Sequence, residues 1–149
     1  MSLPFEVLAK RATSLKRGGI NALIQELIKS NVKYIKELQT EEQMYEGVRS
    51  DGSDILPEYT PYTKFIKRLL KSPAQPTDRV TLKDSGDFYN KVYIKMDRDG
   101  FELDSADPKR DELVEKYKEA IFGLTDENKA KLSRRLKAQL LNEIKQRLI

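Results

Sequence analysis

Apolar positions in the first third of the chain recur at helical spacing. Phe5, Leu8, Ala12 and Leu15 make one stripe, and Ile20, Leu23, Ile24, Leu27, Ile28, Val32, Ile35 and Leu38 make a longer one. Gly18-Gly19 lies between them. Glycine costs about 1 kcal/mol per residue inside a helix, so a break or hinge is predicted there. Asn31-Val32 is expected to weaken the second stripe without ending it, and the helix should fade near Gly47, ahead of the turn cluster Ser50-Asp51-Gly52-Ser53-Asp54. Pro57, Pro61, Pro73 and Pro76 restrict the middle of the chain. Between them, Thr60-Pro61 is predicted to open a short helix through Tyr62, Phe65, Ile66, Leu69 and Leu70, which Pro73 closes.

The period then changes. A β-like region begins at Arg79 to Leu82, and Val92, Ile94 and Met96 alternate with polar neighbours. Asp99-Gly100 reads as the centre of a two-residue hairpin turn, with Phe101-Glu102-Leu103-Asp104 returning. A two-stranded ribbon is marginal alone in water, so this one must lean on a helix or a neighbouring subunit. Helical spacing resumes with Pro108 just inside a start. Leu113, Val114, Tyr117, Ala120 and Ile121 mark a buried side, and Gly123 marks the stop. Thr125 is a predicted N-cap, with Asp126 and Glu127 complementing the dipole of a last helix. Leu132, Leu136, Leu140, Leu141, Ile144 and Leu148 run along that helix, mostly in steps of four, and could pack within the chain or on another subunit. The expected architecture is a single α+β domain over 1–149. Long N-terminal and C-terminal amphipathic helices pack around a small antiparallel sheet containing a hairpin (about 91–97 and 101–105). Helical segments 3–46 and 108–149 flank a loop and hairpin region, 47–107.

Composition removes most catalytic chemistry. The 149 residues contain no Cys, no His and no Trp. Thiol nucleophiles, imidazole or thiolate metal sites, Ser-His-Asp triads and disulfide scaffolds are thereby excluded within them. The remaining acids crowd the hairpin: Asp97, Asp99, Asp104 and Asp107. Asp107-Pro108-Lys109 has the acid-x-Lys spacing of some metal-dependent nucleases. That pair belongs on a strand, however, and Pro108 points to a helix start instead. Asp97-Arg98-Asp99-Gly100 and Asp51-Gly52-Ser53-Asp54 are too short for a calcium loop and read as turns. We therefore expect no catalytic, metal-binding or cofactor-binding residue, and no cofactor.

Twenty-eight basic residues stand against 24 acidic ones, for a formal charge of +4. The excess permits an acidic or nucleic-acid partner without requiring one. Candidate contact residues are Lys64, Lys67 and Arg68, which share the short helix with Lys71, and Arg134, Arg135 and Lys137 in the basic final helix. For each set the solvated face of an amphipathic helix is the preferred reading over partner contact. The final helix carries no aromatic residue, which disfavours base stacking there. No apolar run reaches the length of a membrane span, and Met1-Ser2-Leu3-Pro4 leads into a charged segment. A soluble intracellular protein is expected, with neither a membrane nor a small-molecule substrate as partner.

One stretch goes beyond pattern. Gln75-Pro76-Thr77-Asp78-Arg79-Val80-Thr81-Leu82-Lys83-Asp84-Ser85-Gly86-Asp87-Phe88-Tyr89 follows Tyr59-Thr60-Pro61-Tyr62-Thr63 and contains the element Leu82-Lys83-Asp84-Ser85-Gly86. A hairpin ending in Phe101 to Asp107 comes next, and Gly123-Leu124-Thr125-Asp126-Glu127-Asn128 closes the segment. From about Gln43 to Asn128 this resembles the virion-morphogenesis and tail-component proteins of tailed bacteriophages. The first 40 residues and the long basic final helix depart from that pattern. The resemblance implies a small non-catalytic α+β subunit of the neck, head-tail joint or completed tail. Such a subunit forms a homo-oligomeric ring, docks on portal, neck or tail proteins, and lies near packaged DNA. It would reside in the virion, and in the host cytoplasm during assembly. A ring requires two unlike surfaces, for which the hairpin edge and the long helices are the expected candidates. Within the signature, Asp84 or Ser85 is expected to cap a turn that Gly86 frees, with Phe88 and Tyr89 packing it on the sheet. The alternative reading is a nucleic-acid-binding accessory protein that uses the basic helices.

Overall fold

The computed structural model describes residues 17–71, 74–98 and 100–148. The stripe from Phe5 to Leu15, Pro73 and Asp99 lie outside them. The fold is α+β. Helices α1 (Arg17–Ser30) and α2 (Val32–Gln39) lead into a π-helical turn (Thr40–Met44), followed by α3 (Pro61–Leu69) and the single turn α4 (Asp87–Asn90). Strands β1 (Val92–Met96) and β2 (Phe101–Ser105) precede α5 (Arg110–Tyr117), a 3₁₀ turn (Glu119–Ile121) and the long α6 (Asp126–Leu148). The described residues form two compact units, one within 17–33 and 130–148 and the other within 34–129.

In the first unit Leu23, Ile28 and Leu132 are buried. Gly18 and Gly19 do not break the described helix; both are helical in its first turn. Asn31, by contrast, does end α1. Its backbone N–H is shared between the carbonyls of Leu27 and Ile28, and its buried side chain donates to Leu27 O and to Gln139 Oε1, both at 2.7 Å. An asparagine that offers the helix carbonyl a side-chain donor competes with the ladder, and here it interrupts it. Leu132 is the one fully buried member of the C-terminal leucine row. Leu136, Leu140 and Ile144 are half-buried, and Leu141 and Leu148 are exposed.

The second unit is organised around Met44, Ile55, Val80, Leu82, Phe88, Tyr89, Tyr117 and Ile121. The π-helical turn serves this core. Its i to i+5 bonds, Tyr45 N–H to Thr40 O and Val48 N–H to Gln43 O, accompany burial of Gln39, Thr40, Gln43 and Met44. The chain leaves the turn at Gly47, whose φ of 74° and position against Arg79 exclude a side chain: a Cβ there would lie 2.9 Å from Arg79 Cβ.

Gln39 and Gln43 are almost completely buried, and both spend their amides on the backbone that follows α5. Gln39 donates to Ile121 O and accepts from Gly123 N–H, at 3.2 and 2.7 Å. Gln43 donates to Gly123 O at 2.6 Å and accepts from Thr125 N–H at 2.9 Å. Asn128 adds donations to Leu38 O and Gln43 Oε1. This corrects the expected end of the penultimate helix: α5 stops at Tyr117, and Lys118, at φ 77°, turns the chain well before Gly123. A continued helix would withdraw the backbone groups that the two glutamines occupy. Thr125 caps α6 as predicted, its Oγ1 accepting from Asn128 N–H at 3.2 Å.

The hairpin forms over the expected residues, with Val92, Leu103 and Ser105 buried on one face. Its turn is placed differently. Met96 pairs with Phe101 and Asp97 N–H bonds Gly100 O at 3.0 Å, so residues 97–100 make the connection and Gly100 is its last member, not a central one. Residues 79–82 form no strand. They are irregular backbone, buried from Val80 to Leu82, with Leu82 at φ 57°. Phe88 and Tyr89 join the core cluster, which contains no strand residue, instead of packing on the sheet, and Phe88 stacks at a tilt with Phe122, 6.0 Å between ring centres.

Two substitutions test this account by urea denaturation. Gln39→Leu keeps the volume but strands Ile121 O and Gly123 N–H, and is expected to cost about 1–3 kcal/mol for each backbone group left unpaired. Ile121→Ala, at a fully buried position, is expected to cost about 2–5 kcal/mol.

Candidate functional site

The predicted short helix forms where Thr60 and Pro61 place it. Thr60 Oγ1 accepts from Thr63 N–H at 3.2 Å and Pro61 opens the first turn. Its orientation determines what its cations can do. Lys67 faces inward and is buried. Its ammonium donates to Lys83 O at 2.6 Å and Gln75 Oε1 at 2.9 Å, and sits 4.8 Å from the centre of the Tyr59 ring. A buried ammonium with two acceptors and an aromatic face is satisfied internally, so Lys67 is a clamp between α3 and the segment after it. Arg68 donates to Thr77 Oγ1 at 3.1 Å, and Lys71 pairs with Asp84 at 2.5 Å. Lys64 is half-buried, and its side chain has no hydrogen bond or ion pair among the described residues.

The segment that α3 clamps is the stretch Gln75 to Tyr89. Two tyrosine hydroxyls converge on Thr81: that of Tyr59 accepts from Thr81 N–H at 2.9 Å and from Leu82 N–H at 3.3 Å, and that of Tyr89 donates to Thr81 O at 2.5 Å. Burial pushes the Tyr89 phenol far above its ordinary range, so it stays a donor at any working pH. Gly86, at φ 95°, precedes α4, and Ser85 Oγ accepts from Asp87 N–H at 3.3 Å. Thr81 is fully buried. These hydrogen bonds hold the loop closed around Thr81.

The outward face of α3 is the opposite of its inward one. Tyr62, Phe65, Leu69 and Leu70 are 52–72% exposed. Tyr62, Phe65 and Leu69 fall on one side of the helix, with Lys64 and Arg68 in the next row. Beside them a cleft of about 150 Å³ is lined by Asp54, Leu56, Glu58, Tyr59, Lys64 and Asp78, among others. Reading the sequence located the α3 stripe but not its exposure. The available signal was a nine-residue amphipathic helix whose inner positions include a lysine.

The second candidate set lies in the other unit. Arg134, Arg135 and Lys137 are exposed on α6. Arg135 Nε donates to Asn31 Oδ1 at 3.0 Å, while the side chains of Arg134 and Lys137 have no hydrogen bond or ion pair among the described residues. The hairpin acids are engaged in structure. Asp107 is buried and accepts from Lys109 N–H at 2.8 Å, and Asp104 takes a two-nitrogen contact from Arg110, at 2.8 and 3.4 Å. Partial burial works against ionisation of Asp104, but bonds from Arg110 and from Ser105 N–H outweigh it and hold its carboxyl below the usual range. Among the described residues no three acidic side chains converge as a metal site, and no helix is long and apolar enough to cross a membrane. No protein-family model, curated protein or solved structure matches the chain.

Lys67→Met is expected to destabilise the fold by about 1–3 kcal/mol, because Lys83 O and Gln75 lose their donor. Lys64→Met should stay within about 0.5 kcal/mol; thermal or urea melts of the pair separate the two roles. The hydrogen bond from Lys71 holds the Asp84 carboxyl below its ordinary range. Its contribution is therefore present above the unfolded value near pH ~4 and lost as pH falls through the folded one. The stability gap between wild type and Asp84→Asn should accordingly shrink on acidification through that window, as measured by urea melts at a series of pH values.

Proposed function

We propose that this protein is a structural component of a tailed-bacteriophage virion, in the neck, head-tail joint or completed tail, and that it acts by oligomerising and docking on portal or tail proteins. The exposed apolar face of α3 carries this reading. Four large apolar side chains in and just after a nine-residue helix, each more than half exposed, are costly in water and mark an interaction surface when contiguous. The face is also held rigidly, because Lys67, Arg68 and Lys71 anchor the helix and its C-terminal end from other sides. Preorganisation of this kind lowers the entropic cost of association. Aromatic and leucine anchors beside an arginine fit a protein partner.

The test is composition of purified particles. The chain should be found in virions from the host that carries its gene, and Phe65→Asp should fold as wild type, with stability changed by no more than about 0.5 kcal/mol, yet fail to enter them. A chain absent from particles overturns the proposal. The exposed Arg134 and Lys137 favour a second reading, contact with nucleic acid. Under it, random duplex DNA binds with an affinity that falls steeply between 50 and ~200 mM salt, and Arg134→Glu with Lys137→Glu abolishes retention.

A further inference from the structure

We infer that the exposed face of α3 is covered by a second copy of this chain, through the acidic segment 40–59; the inference rests on the assembly reading above and names the contact. Charge is distributed unevenly around α3. Residues 40–59 hold Glu41, Glu42, Glu46, Asp51, Asp54 and Glu58 against the single cation Arg49, whereas residues 60–71 hold four cations and no acid. All six acids are exposed. Asp54 and Glu58 have no hydrogen bond or ion pair to their side chains among the described residues, and Lys64 on the basic side has none either. Both stretches belong to the same compact unit, so every copy presents both. Unlike patches present on each copy are what self-association by complementary surfaces requires.

The cleft supplies the receiving shape. It measures about 150 Å³, with Leu56 and Tyr59 contributing apolar surface, Asp54, Glu58 and Asp78 contributing acids, and Lys64 and Arg79 contributing cations, of which Arg79 is paired with Asp78. A cavity of roughly that volume accommodates one benzene-sized ring. Phe65 is the exposed ring at the middle of α3, and Lys64 and Arg68 lie beside it. Seating Phe65 of one copy in the cleft of another brings those cations to Asp54 and Glu58. An anionic membrane or a phosphate backbone fits less well, because the acidic segment adjoins the apolar face and repels it. Of the four cations, moreover, Lys67 is buried and Lys71 is paired with Asp84.

Charge reversal tests the contact, read by sedimentation velocity and light scattering on the full chain. Lys64→Glu with Arg68→Glu reverses one side, and Asp54→Lys with Glu58→Lys reverses the other. Each variant alone is expected to self-associate at least about tenfold more weakly than wild type, and a one-to-one mixture should restore association. Phe65→Ser, which changes no charge, should lose association in the same way and guards against a reversal variant that misfolds. Self-association of the variants that equals wild type, a mixture that stays monomeric, or a wild type that is itself monomeric overturns the inference. Binding to phosphatidylserine vesicles or to duplex DNA that depends on Phe65 overturns it as well. A chain present in virions but unaffected by reversal leaves the assembly role standing without this contact. A chain that pairs through these surfaces yet is absent from virions keeps the contact and loses the role.

Discussion

Two glutamines that solvent barely touches decide how the 34–129 unit closes. A buried amide left without partners is costly, so Gln39 and Gln43 require backbone groups in fixed places. Gly123 supplies both its N–H and its C=O, with Ile121 and Thr125 on either side. That demand forces the chain out of helix before Gly123 and sets Thr125 where it can cap α6. The π-helical turn belongs to the same arrangement, because the wider turn accompanies burial of Gln39, Thr40, Gln43 and Met44 together. A polar network so fully satisfied specifies one arrangement of the surrounding elements more sharply than an apolar contact of equal area.

Helix α3 reverses the usual relation between an amphipathic helix and its protein. Its buried side includes an ammonium, and its exposed side is aromatic and aliphatic. Burying Lys67 carries a desolvation penalty, which Lys83 O, Gln75 and the Tyr59 ring offset. Placing Phe65 or Leu69 inward would bring more burial at less electrostatic cost. The observed orientation is therefore not the one that burial alone favours, and the assembly role proposed above is a reason for a fold to keep it.

Much of this fold was legible because its signals are local. Thr60-Pro61 and Thr125-Asp126-Glu127 announce helix starts through side chains that act within one turn, and Val92, Ile94 and Met96 announce a strand through alternation alone. What was not legible depends on distant partners. Nothing near Tyr117 says that Gln39, more than 70 residues earlier, requires Gly123 unwound. Nothing near Arg79 says that Thr81 is held by two tyrosine hydroxyls from separate elements, which turns a β-like run into irregular backbone. Asn31 was visible as a weak point, but its bond to Gln139, 108 residues away, was not. For the candidate site, sequence placed Lys64, Lys67 and Arg68 on one helix yet could not show that Lys67 faces in and Phe65 faces out, since that depends on what α3 packs against.

Electrostatics also separates the two sets of candidate cations. Those of α3 stand beside an acidic segment in the same unit, which weakens their pull on phosphate while suiting them to a carboxylate-rimmed protein surface. Those of α6 meet one acid, Glu143, between Ala130 and Leu148. Screening removes surface interactions beyond roughly 8–10 Å at ordinary ionic strength, so each set responds to its own neighbours and not to the net charge of +4. A basic total therefore says little about the partner. Local sign and local apolar exposure say more: α3 joins cations to an exposed apolar face, whereas α6 carries its cations with a single acid among them.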